Sequence, residues 1–95
     1  MSAVSSLLGH GEVAVDDTAT LVVPANTVRK SVVVRNMDPA NTVYVGVAGV
    51  TDASGFPLLP GADAGEAFRF EDYNSDVYAI CAAGESADVR FIEVG

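Results

Sequence analysis

Apolar residues recur at every second position along most of this chain, and no stretch of useful length carries them at the spacing of a helical face. Val43, Tyr44, Val45, Gly46 and Val47 form the clearest strand pattern, and Val13 and Val15 repeat it on one face of residues 12–16. The same reading predicts strands at residues 19–23, 28–36, 66–71, 76–82 and 88–94, and extends the Val43 strand over 42–48. Turn residues punctuate them. Asp17-Thr18, Pro24-Ala25-Asn26 and Met37-Asp38-Pro39-Ala40-Asn41 supply fixed φ angles and side chains that bond their own backbone. Gly84-Glu85-Ser86 reads as a short hairpin loop joining the last two strands. About seven evenly spaced strands predict an all-β fold, a compact antiparallel β-sandwich or jelly-roll-like module, with a small barrel as the other closed solution.

Several of these strands are apolar on both faces. Val89 and Phe91 point one way while Ile92 and Val94 point the other; Val32 and Val34 share a face and Val33 takes the opposite one. An antiparallel sheet with one wet face alternates more cleanly. A second covering layer is therefore expected, from the loop at residues 53–65 or from another subunit. That loop belongs to the longest irregular stretch, TDASGFPLLPGADAG from Thr51. Its Phe56 and Leu58 read either as a plug over an open end of the sandwich or as an anchor for a neighbouring chain. Residues 1–11, MSAVSSLLGHG, are small and Ser/Gly-rich. They read as an N-terminal arm that is either frayed or docked through Leu7 and Leu8, leaving 12–95 as a single domain.

Composition narrows the function classes. Ninety-five residues make one core, and with 49% hydrophobic and 19% charged residues the chain has the means to bury it. So apolar a small chain leaves side chains over for self-association or a partner. Thirteen acidic against five basic residues give a net charge of −8, which repels phosphate backbones and argues against nucleic-acid binding. The first eleven residues lack the basic start and apolar run of a secretory leader, and no segment reaches the length of a membrane helix. No membrane partner is expected.

Groups that carry chemistry are few. Cys81 is the sole cysteine, on the face shared by Val77 and Ala79, and is expected to be a buried, inert thiol. His10 lies between two glycines without a fixed partner, and no nucleophile–base arrangement or phosphate loop is present. No catalytic residue, cofactor or metal site is expected. Asp16-Asp17, Glu71-Asp72 and Asp76 lack calcium-loop spacing and read as solvated turn carboxylates. Tyr44, Tyr73 and Tyr78 are candidates for stacking against a sugar, although tyrosines in such a chain more often serve core or rim.

One stretch carries more than composition does. TVYVGVAGVTDASGFPLLP, followed by Val77-Tyr78-Ala79-Ile80 and then by ADVRFIEV, resembles a family of small β-modules encoded among the structural genes of tailed bacteriophages. The resemblance spans residues 19–94. It implies a non-enzymatic virion protein, made in the host cytoplasm and carried in the particle. The favoured expectation is a capsid decoration or cement protein. Its partners are then copies of itself, a trimer by analogy with accessory head proteins, and the major capsid protein or another virion protein. Leu7, Leu8, Phe56 and Leu58 are the candidate contacts. Related modules also occur fused within tail and fibre proteins, so a tail or fibre-associated module recognising host-surface glycan is the alternative. A non-virion regulatory protein is a further one.

Overall fold

The computed structural model describes residues 7–63 and 65–95. Among them are eight strands and no helix: β1 (Leu7–Val15), β2 (Thr20–Val23), β3 (Ser31–Asn36), β4 (Val43–Gly46), β5 (Phe56–Leu58), β6 (Ala67–Glu71), β7 (Val77–Ile80) and β8 (Ala87–Val94). They form two four-stranded sheets, ordered β1-β8-β3-β6 and β2-β7-β4-β5, with every pair antiparallel. The pairs β4·β5, β3·β6, β2·β7 and β1·β8 are nested, so the chain is one long hairpin centred on the β4–β5 turn. Rolling that hairpin up adds the pairs β3·β8 and β4·β7, which complete the two sheets. This is the strand order of a jelly roll.

Valine fills the space between the sheets. Val15, Val22, Val23, Val32, Val34, Val43, Val45, Val77 and Val89 are buried there with Leu58, Ala79, Cys81 and Ala87. β-branched side chains suit a pleated surface, and their alternation in β3, β4, β7 and β8 is the alternation seen in the sequence. Phe70, Tyr73 and Phe91 close the core along its flanks.

The structure departs from the sequence reading in three places. Residues 7–11, expected in an arm, are the first half of β1 and pair with β8; residues 1–6 of that arm lie outside the described residues. The glycines that suggest flexibility have a packing role. Gly9 and Gly11 lie opposite Glu93 and Phe91, and a β-carbon on Gly11 would come within 3.0 Å of the Phe91 ring. The strand is glycine-bearing because a large cross-strand neighbour leans over it.

The loop around Phe56 contributes an eighth strand. Phe56, Pro57 and Leu58 pair with Val45, Tyr44 and Val43. Proline within so short a run argues against a strand, but β5 is the edge of its sheet, where one side of the backbone needs no partner.

The residues 84–86 turn does not join a hairpin. It links β7 in one sheet to β8 in the other. The turn itself forms as expected, with Gly84 at φ 77° and the Glu85 N–H donated to the Ala82 carbonyl at 2.9 Å. Alternation fixes which side chains of Val77, Ala79, Ala87 and Val89 face inward. It is silent on which sheet each strand joins.

Candidate interaction surfaces

Residues directly opposite one another in an antiparallel pair share a face, so the register sorts each sheet into an inner and an outer side. The outer side of β2-β7-β4-β5 carries Leu21 opposite Tyr78, Tyr78 opposite Gly46, and Ile80 opposite Tyr44, which in turn faces Pro57. None of these residues is an Asp, Glu, His, Lys or Arg. The chain from β4 to β5 covers one corner of this face: Val50 is buried against Gly46 and Gly55, where added β-carbons would lie 2.8 and 2.9 Å from its Cγ2. Leu21 remains 39% exposed, and Val47 and Leu59 project at 65% and 50% around the margin.

The outer side of β1-β8-β3-β6 is built differently. Glu12, Arg90 and Arg35 form one cross-strand row, and His10, Ile92, Val33 and Arg69 form the next. The second apolar faces of β3 and β8, Val33 and Ile92, thus have Arg35, Arg69 and Arg90 as their cross-strand neighbours. Ile92 is as exposed as Leu21, at 39%, so both outer faces carry uncovered apolar surface, and the face of β2-β7-β4-β5 differs in having no charged residue among its strand positions.

Of the expected contact residues, Leu7 is exposed at the start of β1. Leu8, at a break in the β1·β8 register, is half-buried beside Gly95. Leu58 is 1% exposed and belongs to the core, so it has no surface to offer a partner. Phe56 is 55% exposed and packs on Phe68 with ring centroids 5.2 Å apart. Phe68 meets Phe70 at 4.9 Å and Phe70 meets Tyr73 at 5.5 Å, giving a row of aromatics that bridges the edge strands of the two sheets. The segment is a plug at Leu58 and a half-open seal at Phe56. Of the three tyrosines, Tyr44 and Tyr78 are diagonal neighbours on the outer apolar face. Tyr73 is apart from them, its hydroxyl donated to the Asp76 carbonyl at 2.7 Å. Local pattern does not single out Leu21, Pro57 and Ile80 together, because their shared face exists only once β2, β4, β5 and β7 are aligned.

Carboxylates serve the turns. Asp16 accepts the Thr18 N–H at 2.9 Å, Asp17 the Gly84 N–H at 3.0 Å, Asp76 the Ala25 N–H at 2.6 Å, and Glu71 pairs with Arg69 at 2.6 Å. Among the described residues no three His, Cys, Asp or Glu side chains gather as metal ligands. Cys81 is buried, its thiol against the Val15 carbonyl at 3.6 Å. Burial, followed by the charges of Glu85, Asp38, Asp16 and Asp17, raises its pKa to about 11, which keeps it protonated and poorly nucleophilic. An open hollow of about 530 Å³ is lined by Glu12, Ala14, Asp38, Ser86, Ala87 and Asp88, without a histidine, thiol or lysine. In comparisons with known proteins, no family model, no curated protein and no solved structure matches this chain.

Proposed function

We propose that this chain is a non-enzymatic structural protein of a tailed-phage virion, an accessory head protein that decorates or cements the capsid surface. The observation that carries a docking role is the contrast between its two outer faces. One sheet presents Leu21, Tyr44, Pro57, Tyr78 and Ile80 without a charge, while the other sets Glu12, Arg35, Arg69 and Arg90 around Val33 and Ile92. Apolar faces of this kind mark protein contacts. The assignment to a virion rests on the resemblance of residues 19–94 to phage β-modules, since one fold serves many functions. The partners in this reading are further copies of the chain, in a trimer, and the major capsid protein. Repetition over a lattice multiplies individually weak contacts.

Co-sedimentation with purified immature and mature heads tests the proposal. The wild-type chain is expected to pellet with heads, and Ile80→Lys, which puts a charge at the centre of the apolar face, is expected to abolish this without unfolding the protein. Failure to bind either kind of head removes the capsid role. Light scattering across a concentration series tests the trimer separately.

A second reading, a tail or fibre-associated module that binds glycan, draws on the placement of Tyr44 and Tyr78 as neighbours on one exposed face. It predicts sugar binding that is lost in Tyr44→Ala and Tyr78→Ala and kept in Tyr73→Phe. Binding indifferent to the first two substitutions eliminates that site.

A further inference from the structure

In a chain of net charge −8, two arginines face each other across the β3·β8 pair. Arg35 lies directly opposite Arg90, and Arg69 is the diagonal neighbour of Arg35 on β6. Like charges in that relation are destabilising. Two of the three are compensated: Arg90 pairs with Asp88 at 3.2 Å and Glu12 at 3.5 Å, and Arg69 pairs with Glu71 at 2.6 Å. Arg35 has neither an ion pair nor a side-chain hydrogen bond among the described residues, although the chain holds thirteen carboxylates. Beside Arg35 and Arg90 lies a shallow hollow of about 230 Å³ whose remaining walls are Val33, Met37, Phe91 and Ile92. The uncompensated guanidinium therefore stands at the rim of an apolar floor.

We propose that this hollow docks an extended acidic segment of a partner protein. Its carboxylate pairs with Arg35 beside Arg90, whose own charge is already met by Asp88 and Glu12, and an apolar side chain two residues along rests on Val33, Met37 and Ile92. Guanidinium groups recognise carboxylates through paired, charge-assisted hydrogen bonds, and alternate residues of an extended segment project to the same side. Charge complementarity selects this occupant. A nucleic acid or an anionic membrane would meet the acidic remainder of the protein and be repelled, whereas a single carboxylate on a peptide engages only the local positive site. The site lies on the opposite sheet from the apolar docking face and stands independently of it.

The test uses the full chain and a short peptide of repeated Glu-Thr-Leu-Thr units, which places glutamate and leucine on one face. The side-chain Nε–H resonances of Arg35 and Arg90 are followed by nuclear magnetic resonance as peptide is added. Both are expected to shift in a saturable way, and a peptide with glutamine in place of glutamate is expected to leave them unmoved. Arg35→Gln is expected to weaken binding about tenfold, the equivalent of one charge-assisted hydrogen bond, and Arg35→Lys by less. Arg35→Gln also relieves the opposition to Arg90, so its melting temperature should equal or exceed that of the wild type. Equal binding of the glutamine peptide, undiminished binding by Arg35→Gln, or equal occupancy by sodium sulfate at matched ionic strength overturns the assignment. So does a lowered melting temperature in Arg35→Gln, which would make Arg35 a structural residue.

Discussion

The guanidinium of Arg29 is wholly removed from solvent and donates to Glu93 Oε1 at 2.9 Å, tying the segment before β3 to the end of β8. The same side chain donates to the carbonyls of Pro24 at 3.1 Å, Tyr73 at 3.0 Å and Ser75 at 2.5 Å. One residue thereby satisfies acceptors from two connections, β2–β3 and β6–β7, and from β8 at one end of the sandwich. Arg29→Met is expected to leave Glu93 and these carbonyls without their donor and to lower stability by about 3 kcal/mol or more in urea unfolding. Arg29→Lys should recover only part of the loss, because a single ammonium cannot reproduce the fork. A loss below about 1 kcal/mol in Arg29→Met would show that water replaces the network without strain.

Asn36 plays the corresponding part at the end of β3. It is fully buried, donates from Nδ2 to the carbonyls of Asn41 and Leu58 at 2.9 Å each, and accepts the Asp38 N–H at 2.9 Å. Asn36→Ala is expected to cost about 2 to 3 kcal/mol, since it orphans groups on both sides. Asn36→Asp should cost at least as much, because a carboxylate oxygen would then face two carbonyls. Thermal unfolding of the two variants compares them directly.

Gly65 is a steric requirement. A β-carbon there would overlap the Asn36 carbonyl oxygen and lie 2.8 Å from that of Leu59; both are backbone atoms, the Leu59 oxygen accepts the Glu66 N–H at 2.9 Å, and the Asn36 N–H donates to the Glu66 carbonyl at 3.0 Å. Gly65→Ala is expected to destabilise by about 2 kcal/mol or more. Gly49→Ala meets no neighbour and loses only the ease of its positive φ. Denaturant midpoints that rank the two in the reverse order would contradict this account.

Cys81 should resist a thiol-specific disulfide reagent at pH 8 in the native protein and react fully once urea unfolds the chain. Its folded-state pKa of about 11 lies above the ordinary value of 9.0. Between those values the unfolded chain has lost the thiol proton while the native protein keeps it. The stability that the thiol contributes is thus fully present below pH 9 and is lost as pH rises towards 11. Cys81→Ala should flatten that part of the stability profile. Rapid native labelling at pH 8 would show that the strand opens locally.

Much of this architecture is written in the alternation of the chain. Val32, Val34, Val77, Ala79, Cys81 and Val89 are inward because every second residue of a strand faces the same way, and all of them are buried. The all-β class, the turns at Asp17 and Asp38, and the inert setting of Cys81 follow from residue type and spacing, which are local properties. Sheet membership depends on pairing between segments far apart in sequence, and local pattern does not encode it. Consequently a turn that looks like a hairpin crosses between sheets, glycines that look flexible make room for Phe91 and Glu93, and Pro57 ends in an edge strand. The two candidate surfaces were hidden for the same reason. Leu21, Tyr44 and Ile80, like Arg35 and Arg90, become neighbours only when the long hairpin rolls up. Alternation along the sequence determines which side chains share a face of their strand, and the tertiary structure alone decides which face is buried and which outward residues stand together.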